Sequence, residues 1–158
     1  MKRFLLDASV VTPLLFDYGE KVLDIASEVS LYLMDLTIYE VGNSLWKLAF
    51  LLKMISLKDA VEVVEVLESL VKKRFIEIVY FNELSLPKLV KLAVAEGLTF
   101  YDSSYIAAAE KLNSVLVTED RELREEAKKY VKTMSYEQLR REVNRVTSET
   151  PSRSKPEA

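Results

Sequence analysis

Residues 3–7 read RFLLD, an apolar run that ends abruptly in an acid. The run predicts a short strand at the start of the chain and is too short for a signal peptide. Further strands are predicted at residues 31–36, 75–81, 114–118 and 131–134, with helical patterns between them. Apolar strands that alternate with helices indicate a parallel sheet with helices on both faces. We therefore expect a three-layer α/β/α fold with a parallel sheet of about five strands.

The length of 158 residues fits one domain with its own core. The first helix is expected to begin at Thr12-Pro13, with Thr12 as its cap. The other predicted helices cover residues 20–30, 37–55, 56–73, 85–97, 99–112, 121–130 and 136–146. The domain is thus expected to span residues 1–146. Residues 147–158, TSETPSRSKPEA, have the composition of a disordered tail.

The composition excludes several kinds of site. The chain has no Cys and no His, so disulfides, thiolate or imidazole zinc sites and Ser-His catalysis are ruled out. Three glycines are too few for a P-loop or a dinucleotide fingerprint. The net charge of −3 shows no overall basic character. The longest uncharged apolar stretch, residues 48–52, is far below the ~20 residues of a membrane span, so we expect a cytoplasmic protein without membrane contact.

Four acids lie just after predicted strands or near the starts of predicted helices. Asp7 and Asp120 follow predicted strands, whereas Glu40 and Asp102 lie one turn into predicted helices. In a parallel sheet the functional crevice lies outside the carboxyl ends of the strands, so these side chains are expected to converge there.

Each acid also has a purely structural interpretation. The spacing of Thr37 with Glu40, and of Thr99 with Asp102, is that of a capping box. Asp120 would cap the helix that follows it, and Asp7 would be a turn residue. Capping and metal binding are compatible, because the first turn of a helix projects an acid toward the strand ends.

The segments that contain these acids resemble the four motif blocks of PIN-domain proteins, and most closely the VapC-like toxins of archaea and bacteria. They are LLDASVV (residues 5–11), TIYEVGNSLWK (37–47), TFYDSSYIAAAEKL (99–112) and SVLVTEDREL (114–123). The resemblance covers residues 3–135, and no motif acid is missing. It implies a metal-dependent ribonuclease toxin with an acidic cleft, an antitoxin partner and a homodimeric assembly.

The resemblance also implies roles for individual residues. The catalytic and metal-binding residues would be Asp7, Glu40, Asp102 and Asp120. Thr118 matches the hydroxyl that precedes the last acid by two residues, and Asn43 matches the polar residue one turn after the second acid, so both would support the metal ligands.

The chemistry of these residues agrees with that assignment. Oxygen donors without nitrogen or sulfur favour Mg²⁺ or Mn²⁺ over Zn²⁺. Four carboxylates in one cleft repel each other, and a divalent ion would relieve that repulsion. Such an ion would activate water and orient a phosphate. One ion and two ions both remain open, as does the choice of Glu40 as ligand or as base.

An acidic cleft needs cations nearby to hold an RNA backbone. Lys47, Arg121 and Arg124 are the candidates, with a solvated surface charge as the alternative for each.

Three tyrosines flank the acids, and core packing is expected for two of them. These are Tyr39, Tyr101 and Tyr105. The nearby hydroxyls of Ser9 and Ser103 are expected to make only local turn or helix-start contacts.

Two other functions compete with the nuclease. A PIN-like module could bind nucleic acid or protein without turnover. A phosphoacceptor receiver domain is disfavoured because it needs paired N-terminal acids and a strand-end Lys, whereas the first strand here carries one Asp and the fourth ends in Thr-Glu-Asp. The apolar faces of the helices between residues 37 and 73 are consistent with the homodimer that the resemblance implies, and burial in the core explains them as well.

Overall fold

A computed structural model describes residues 1–149 of the chain. Five strands form one sheet in the order β3-β2-β1-β4-β5, and every neighbouring pair is parallel. Their bounds are β1 Arg3–Leu6, β2 Ser30–Met34, β3 Ile76–Val79, β4 Val115–Val117 and β5 Thr133–Met134. The predicted parallel five-stranded α/β fold is therefore confirmed.

Eight α-helices connect and cover these strands within residues 1–149. They are α1 Ala8–Tyr18, α2 Val22–Glu28, α3 Asp35–Trp46, α4 Leu57–Lys72, α5 Leu86–Glu96, α6 Phe100–Leu112, α7 Arg121–Ala127 and α8 Tyr136–Glu149. Short 3₁₀ turns lie at Gly19–Lys21 and Phe81–Glu83, and a π-helical turn, Lys47–Leu51, extends α3. Within the same span, no helix is both long enough and apolar enough to cross a bilayer.

The central strand β1 separates two apolar cores. Its side chains alternate between the faces, as the period of two requires. Phe4 and Leu6 join the core beneath α1, α2, α3, α4 and α8. Leu5 joins the core beneath α6 and α7. Burial on both faces explains why the strand is a continuous apolar run rather than an alternating one.

Two helix ends have the chemistry that their residues predict. The Ser56 hydroxyl caps α4 by accepting from the Asp59 N–H at 3.0 Å, and the Asp59 carboxylate accepts from the Ser56 N–H at 3.0 Å. This is a complete capping box. Gly97 ends α5 with φ +66°, a left-handed conformation that glycine adopts without strain.

Other predicted boundaries were wrong. Helix α1 begins at Ala8, because the N–H groups of Val10 and Val11 already donate to the Asp7 carbonyl; Pro13 therefore lies inside the helix rather than at its first position. Strand β2 ends at Met34 and α3 starts at once. Helix α8 continues to Glu149, three residues past the helix end that was predicted at residue 146. The remaining residues of the predicted tail, 150–158, lie outside the described part of the chain.

Candidate functional site

Asp7 is a buried acid at the carboxyl end of β1. Its side chain is 7% exposed, and its N–H donates to the Val117 carbonyl at 3.2 Å, which continues the pairing of β1 with β4. The hydroxyl of Ser9 donates to Oδ1, and that of Thr118 donates to Oδ2. Burial raises the pKa of Asp7, and these two donors oppose the rise by favouring the ionised form.

The same two hydroxyls also bind the loop after β4. Thr118 Oγ1 accepts from the Asp120 N–H at 3.0 Å, and Ser9 Oγ accepts from the Glu119 N–H at 3.0 Å. Each hydroxyl therefore donates to Asp7 and accepts from a backbone amide. The structure brings Thr118 against Asp7, and the expectation of a merely local role for Ser9 was wrong. Ser103 does make a local contact, to the Thr99 carbonyl at 2.9 Å.

Glu40 approaches Asp7 from α3. Its Oε1 accepts from the Tyr105 hydroxyl at 3.1 Å. Burial raises the pKa of Glu40, and the charges of Asp7 and Asp102 raise it further, against the effect of the tyrosine hydrogen bond. The predicted capping box with Thr37 was wrong, because α3 begins two residues before Thr37.

Asp102 lies in the first turn of α6. The Thr99 hydroxyl caps this helix by accepting from the Asp102 N–H at 3.1 Å, as the sequence predicted. Burial raises the pKa of Asp102; the Thr99 hydroxyl lowers it, and the charges of Asp120 and Glu122 raise it again. Asp102 is therefore both part of a helix cap and a neighbour of other acids.

Asp120 caps α7, as one of its two interpretations predicted. Its Oδ1 accepts from the Leu123 N–H at 3.1 Å. The residue is exposed, in contrast to Asp7. Capping occupies one carboxylate oxygen and leaves the other available.

The four acids form one electrostatically connected group. The charges of Asp7 and Asp102 raise the pKa of Glu40, and the charge of Asp120 raises the pKa of Asp102, in each case in addition to the effect of burial. All four lie at the carboxyl edge of the sheet, where parallel α/β folds place their functional crevice. We call Asp7, Glu40, Asp102 and Asp120 the acidic cluster.

Sequence reasoning missed the roles of two residues at this edge. Glu122, two positions after Asp120, adds a further negative charge near Asp102. Tyr105 lies three residues after Asp102, a spacing that puts both on one helix face. Its hydroxyl binds Glu40, and burial raises the pKa of Tyr105 far above its usual value, which keeps the hydroxyl protonated as a donor.

The acidic cluster fits a hydrated divalent cation in the chemistry of its donors. Among residues 1–149, no three acidic, His or Cys side chains are close enough to form a ready-made metal cage. Mg²⁺ typically keeps several waters and binds one or two carboxylates, so it does not need such a cage. Burial is the main reason why the pKa values of Glu40 and Asp102 are raised, and the charges of neighbouring acids add to it; a cation would relieve that repulsion.

The remaining predicted residues, Asn43 and three cations, differ in exposure and in their contacts. Asn43 is exposed on α3, and it hydrogen-bonds to none of the acidic cluster. Lys47 and Arg121 are exposed and form no ion pair within the described chain. Arg124 instead donates to the Thr118 carbonyl at 3.0 Å and so braces the end of β4.

The flanking tyrosines differ sharply in exposure. Tyr39 is 79% exposed and Tyr101 is 63% exposed, whereas Tyr105 is only 3% exposed. The expectation that two of the three pack in the core was therefore wrong. Tyr39 and Tyr101 lie on the solvent side of α3 and α6, whereas Tyr105, one turn after Tyr101 on α6, packs in the core.

A groove of about 1130 Å³ lies at the opposite edge of the sheet, near Arg3 and Lys132. Most of its cations are already bound: Lys2 to Glu142, Lys129 to Glu96, and Arg3 to a backbone carbonyl. It contains none of the acidic cluster, so we place the site at the carboxyl edge.

Comparison with known proteins identifies the family of the chain. The PIN domain family matches residues 4–129. Exonuclease VapC9 of Pyrobaculum aerophilum is 37% identical over 121 residues, which is 77% of this chain and 83% of that protein. Ribonuclease VapC3 of the same organism is 32% identical over 131 residues, covering 78% of this chain and 93% of that protein.

Two solved structures share the fold. PAE2754 from Pyrobaculum aerophilum superposes with a TM-score of 0.72 at 30% identity, covering 94% of this chain and 97% of that one. VapBC-1 from nontypeable Haemophilus influenzae has a TM-score of 0.54 at 14% identity over 85% of this chain and 98% of that one, a likeness of fold alone. By its sequence and by its structure, this chain belongs to the PIN-domain family and is VapC-like.

Proposed function

We propose that this chain is an Mg²⁺- or Mn²⁺-dependent endoribonuclease, the toxin of a toxin-antitoxin pair, and that the acidic cluster is its catalytic site. The observation that carries the proposal is that Asp7, Glu40, Asp102 and Asp120 all lie at the carboxyl edge of the sheet, where the Thr118 hydroxyl binds both Asp7 and the Asp120 N–H. The names of two relatives, Exonuclease VapC9 and Ribonuclease VapC3, support nuclease activity.

Asp7, Asp102 and Asp120 would hold the metal ion, some of them directly and the others through water. A bound divalent ion neutralises charge on a phosphodiester and lowers the pKa of water. Asp7 suits this role because two hydroxyls orient both of its oxygens. Asp120 is oriented by its cap to α7.

Glu40 would help Asp7, Asp102 and Asp120 to hold the metal ion and would also accept the proton of the attacking water. Its pKa is raised by burial and by the neighbouring acids, which brings it closer to the pKa that suits a base near neutral pH. Thr118 acts through Asp7 and Asp120, because its hydroxyl binds both. Lys47 and Arg121 are exposed cations that would contact RNA phosphates.

The exposed apolar side chains around the π-helical turn support the proposed homodimer. Trp46 and Phe50 stack with ring centroids 5.7 Å apart, and both are solvent-exposed. We call the following set the apolar patch: Trp46, Phe50, Leu51, Leu52, Met54, Leu57, Val61 and Val64. Contiguous exposed apolar surface marks interaction sites. The proposal also includes an antitoxin partner and a cytoplasmic location, where the RNA substrate is found.

The decisive experiment is a cleavage assay on linear and circular RNA with Mg²⁺, with Mn²⁺ and with EDTA. We expect metal-dependent cleavage of both, because an endoribonuclease needs no RNA end. A circular RNA offers no end to an exonuclease and therefore distinguishes the two activities. Asp7→Asn and Asp120→Asn are expected to abolish cleavage. Asp24→Asn, an exposed acid on α2 outside the cluster, is the matched control and should retain it.

Other outcomes point elsewhere. Cleavage of linear RNA alone would make the enzyme an exonuclease. RNA or protein binding without any cleavage would favour the non-catalytic module. Full activity in both Asp7→Asn and Asp120→Asn would end the nuclease assignment.

A further inference from the structure

A chain of three hydrogen bonds ends on the carboxylate of Glu40. The Met34 N–H donates to Thr37 Oγ1 at 3.3 Å, the hydroxyls of Thr37 and Tyr105 are 2.6 Å apart, and the Tyr105 hydroxyl donates to Glu40 Oε1 at 3.1 Å. The chain starts at the end of β2, crosses from α3 to α6, and returns to α3.

The count of protons determines the direction of this chain. An ionised carboxylate accepts only, so Tyr105 must use its single proton on Glu40. The proton between Tyr105 and Thr37 therefore belongs to Thr37, which in turn accepts from the Met34 N–H. All three bonds point the same way, toward Glu40. Hydrogen bonds in such a series polarise one another in the same sense.

We propose that Tyr105, held by Thr37, is a positioning residue that aims the Glu40 carboxylate into the acidic cluster. The hydrogen bond uses Oε1 and leaves Oε2 for a metal ion or a water. This inference rests on the proposed function, since it assigns Tyr105 a role only through Glu40.

Burial explains why this support is rigid. Tyr105 and Thr37 are both enclosed, at 3% and 0% exposure, whereas the other tyrosines beside the acids face solvent. Glu40 itself has a long side chain with several rotamers and lies near the repelling charges of Asp7 and Asp102. Without a fixed donor, that repulsion would turn the carboxylate toward solvent.

The test compares Mn²⁺ binding with cleavage in wild type, Tyr105→Phe and Thr37→Val. Tyr105→Phe removes one hydroxyl and keeps the buried ring. We expect its Mn²⁺ dissociation constant, measured by calorimetry, to rise roughly 10-fold or more, with a parallel loss of cleavage. Thr37→Val should act in the same direction by a smaller factor, because Tyr105 then loses the donor that orients its proton.

Tyr130→Phe is the matched control. The Tyr130 hydroxyl also donates to a glutamate, to Glu96 Oε1 at 2.6 Å, but at the opposite edge of the sheet. It is expected to leave Mn²⁺ affinity and cleavage unchanged. If Tyr105 has a purely structural role, Tyr105→Phe should lower the melting temperature but leave the Mn²⁺ dissociation constant unchanged.

A double-mutant cycle tests whether Tyr105 acts through Glu40. In a Glu40→Ala background, Tyr105→Phe should have no further effect on Mn²⁺ affinity. A full effect in that background would overturn the inference. Unchanged affinity in Tyr105→Phe, or in Thr37→Val where the Phe variant fails to fold, would overturn it while the nuclease proposal stands. A wild-type protein that neither binds Mn²⁺ nor cleaves RNA would overturn both.

Discussion

The buried hydroxyl of Thr118 donates to Oδ2 of Asp7, so one side-chain hydrogen bond joins the ends of the neighbouring strands β4 and β1. The two residues are 111 positions apart in the chain. Thr118 also accepts from the Asp120 N–H, so it orients two members of the acidic cluster at once. The geometry of the site therefore depends on the pairing of these two strands.

Removal of the Thr118 hydroxyl should lower the free energy of unfolding. Thr118→Val keeps the shape of the side chain but leaves the buried Asp7 carboxylate with one donor fewer and the Asp120 N–H without its acceptor. We expect a loss of about 1–3 kcal/mol in the free energy of unfolding, measured by urea denaturation. Thr118→Ser retains the hydroxyl and is the control. Equal stability of the Val and Ser variants would show that the bond contributes nothing.

Asp7→Asn should stabilise the metal-free protein at neutral pH. Burial raises the pKa of Asp7 above its ordinary 3.8. A group whose pKa is raised by folding binds its proton more tightly in the folded state, so stability is greatest below the unfolded pKa and falls as the pH rises toward the folded one. Melting temperatures from pH 3 upward are expected to fall less steeply for Asp7→Asn than for wild type.

Added metal should stabilise wild type more than Asp7→Asn, the reverse of the order expected without metal. A divalent ion that binds the ionised cluster should raise the melting temperature of wild type with increasing concentration. The same titration should barely affect Asp7→Asn. If metal stabilises both proteins equally, Asp7 does not contribute to the binding site.

Asp120 allows capping to be separated from catalysis. Asn is as good a helix cap as Asp, so Asp120→Asn should keep the stability of α7 while it removes the charge. Asp120→Ala should cost about 1 kcal/mol in unfolding free energy through the lost cap. We expect both variants to lose RNA cleavage. Activity that follows stability, with Asn active and Ala inactive, would support the structural interpretation of Asp120.

The apolar patch predicts the oligomeric state. Phe50 is 66% exposed within the patch, and Phe50→Glu would place a charge in the proposed interface. We expect wild type to sediment as a dimer and Phe50→Glu as a monomer. Val94→Glu, at an apolar position on α5 that is 79% exposed, should remain dimeric. A monomeric wild-type protein at high concentration would contradict the proposed dimer.

Local pattern was sufficient for the strands and for the caps of α4, α6 and α7. The apolar run at residues 3–6 and the Ser56–Asp59 spacing each act through neighbours in sequence, so their structure follows from local chemistry. The boundaries that failed were set by tertiary contacts. Helix α1 starts at Ala8 rather than at Pro13, because the Asp7 N–H still pairs with Val117 of β4 while the Asp7 carbonyl already accepts the first helical bonds.

The sequence by itself determined the four acids and the sheet edge to which they belong, because parallel strands bring their carboxyl ends to one side. Only the tertiary structure showed how those acids are held. The hydroxyl of Thr118 reaches Asp7 across 111 positions in the chain, and that of Tyr105 reaches Glu40 across 65. No local pattern encodes such pairs, since a side-chain hydrogen bond of about 3 Å requires strand pairing and helix packing to place both partners first.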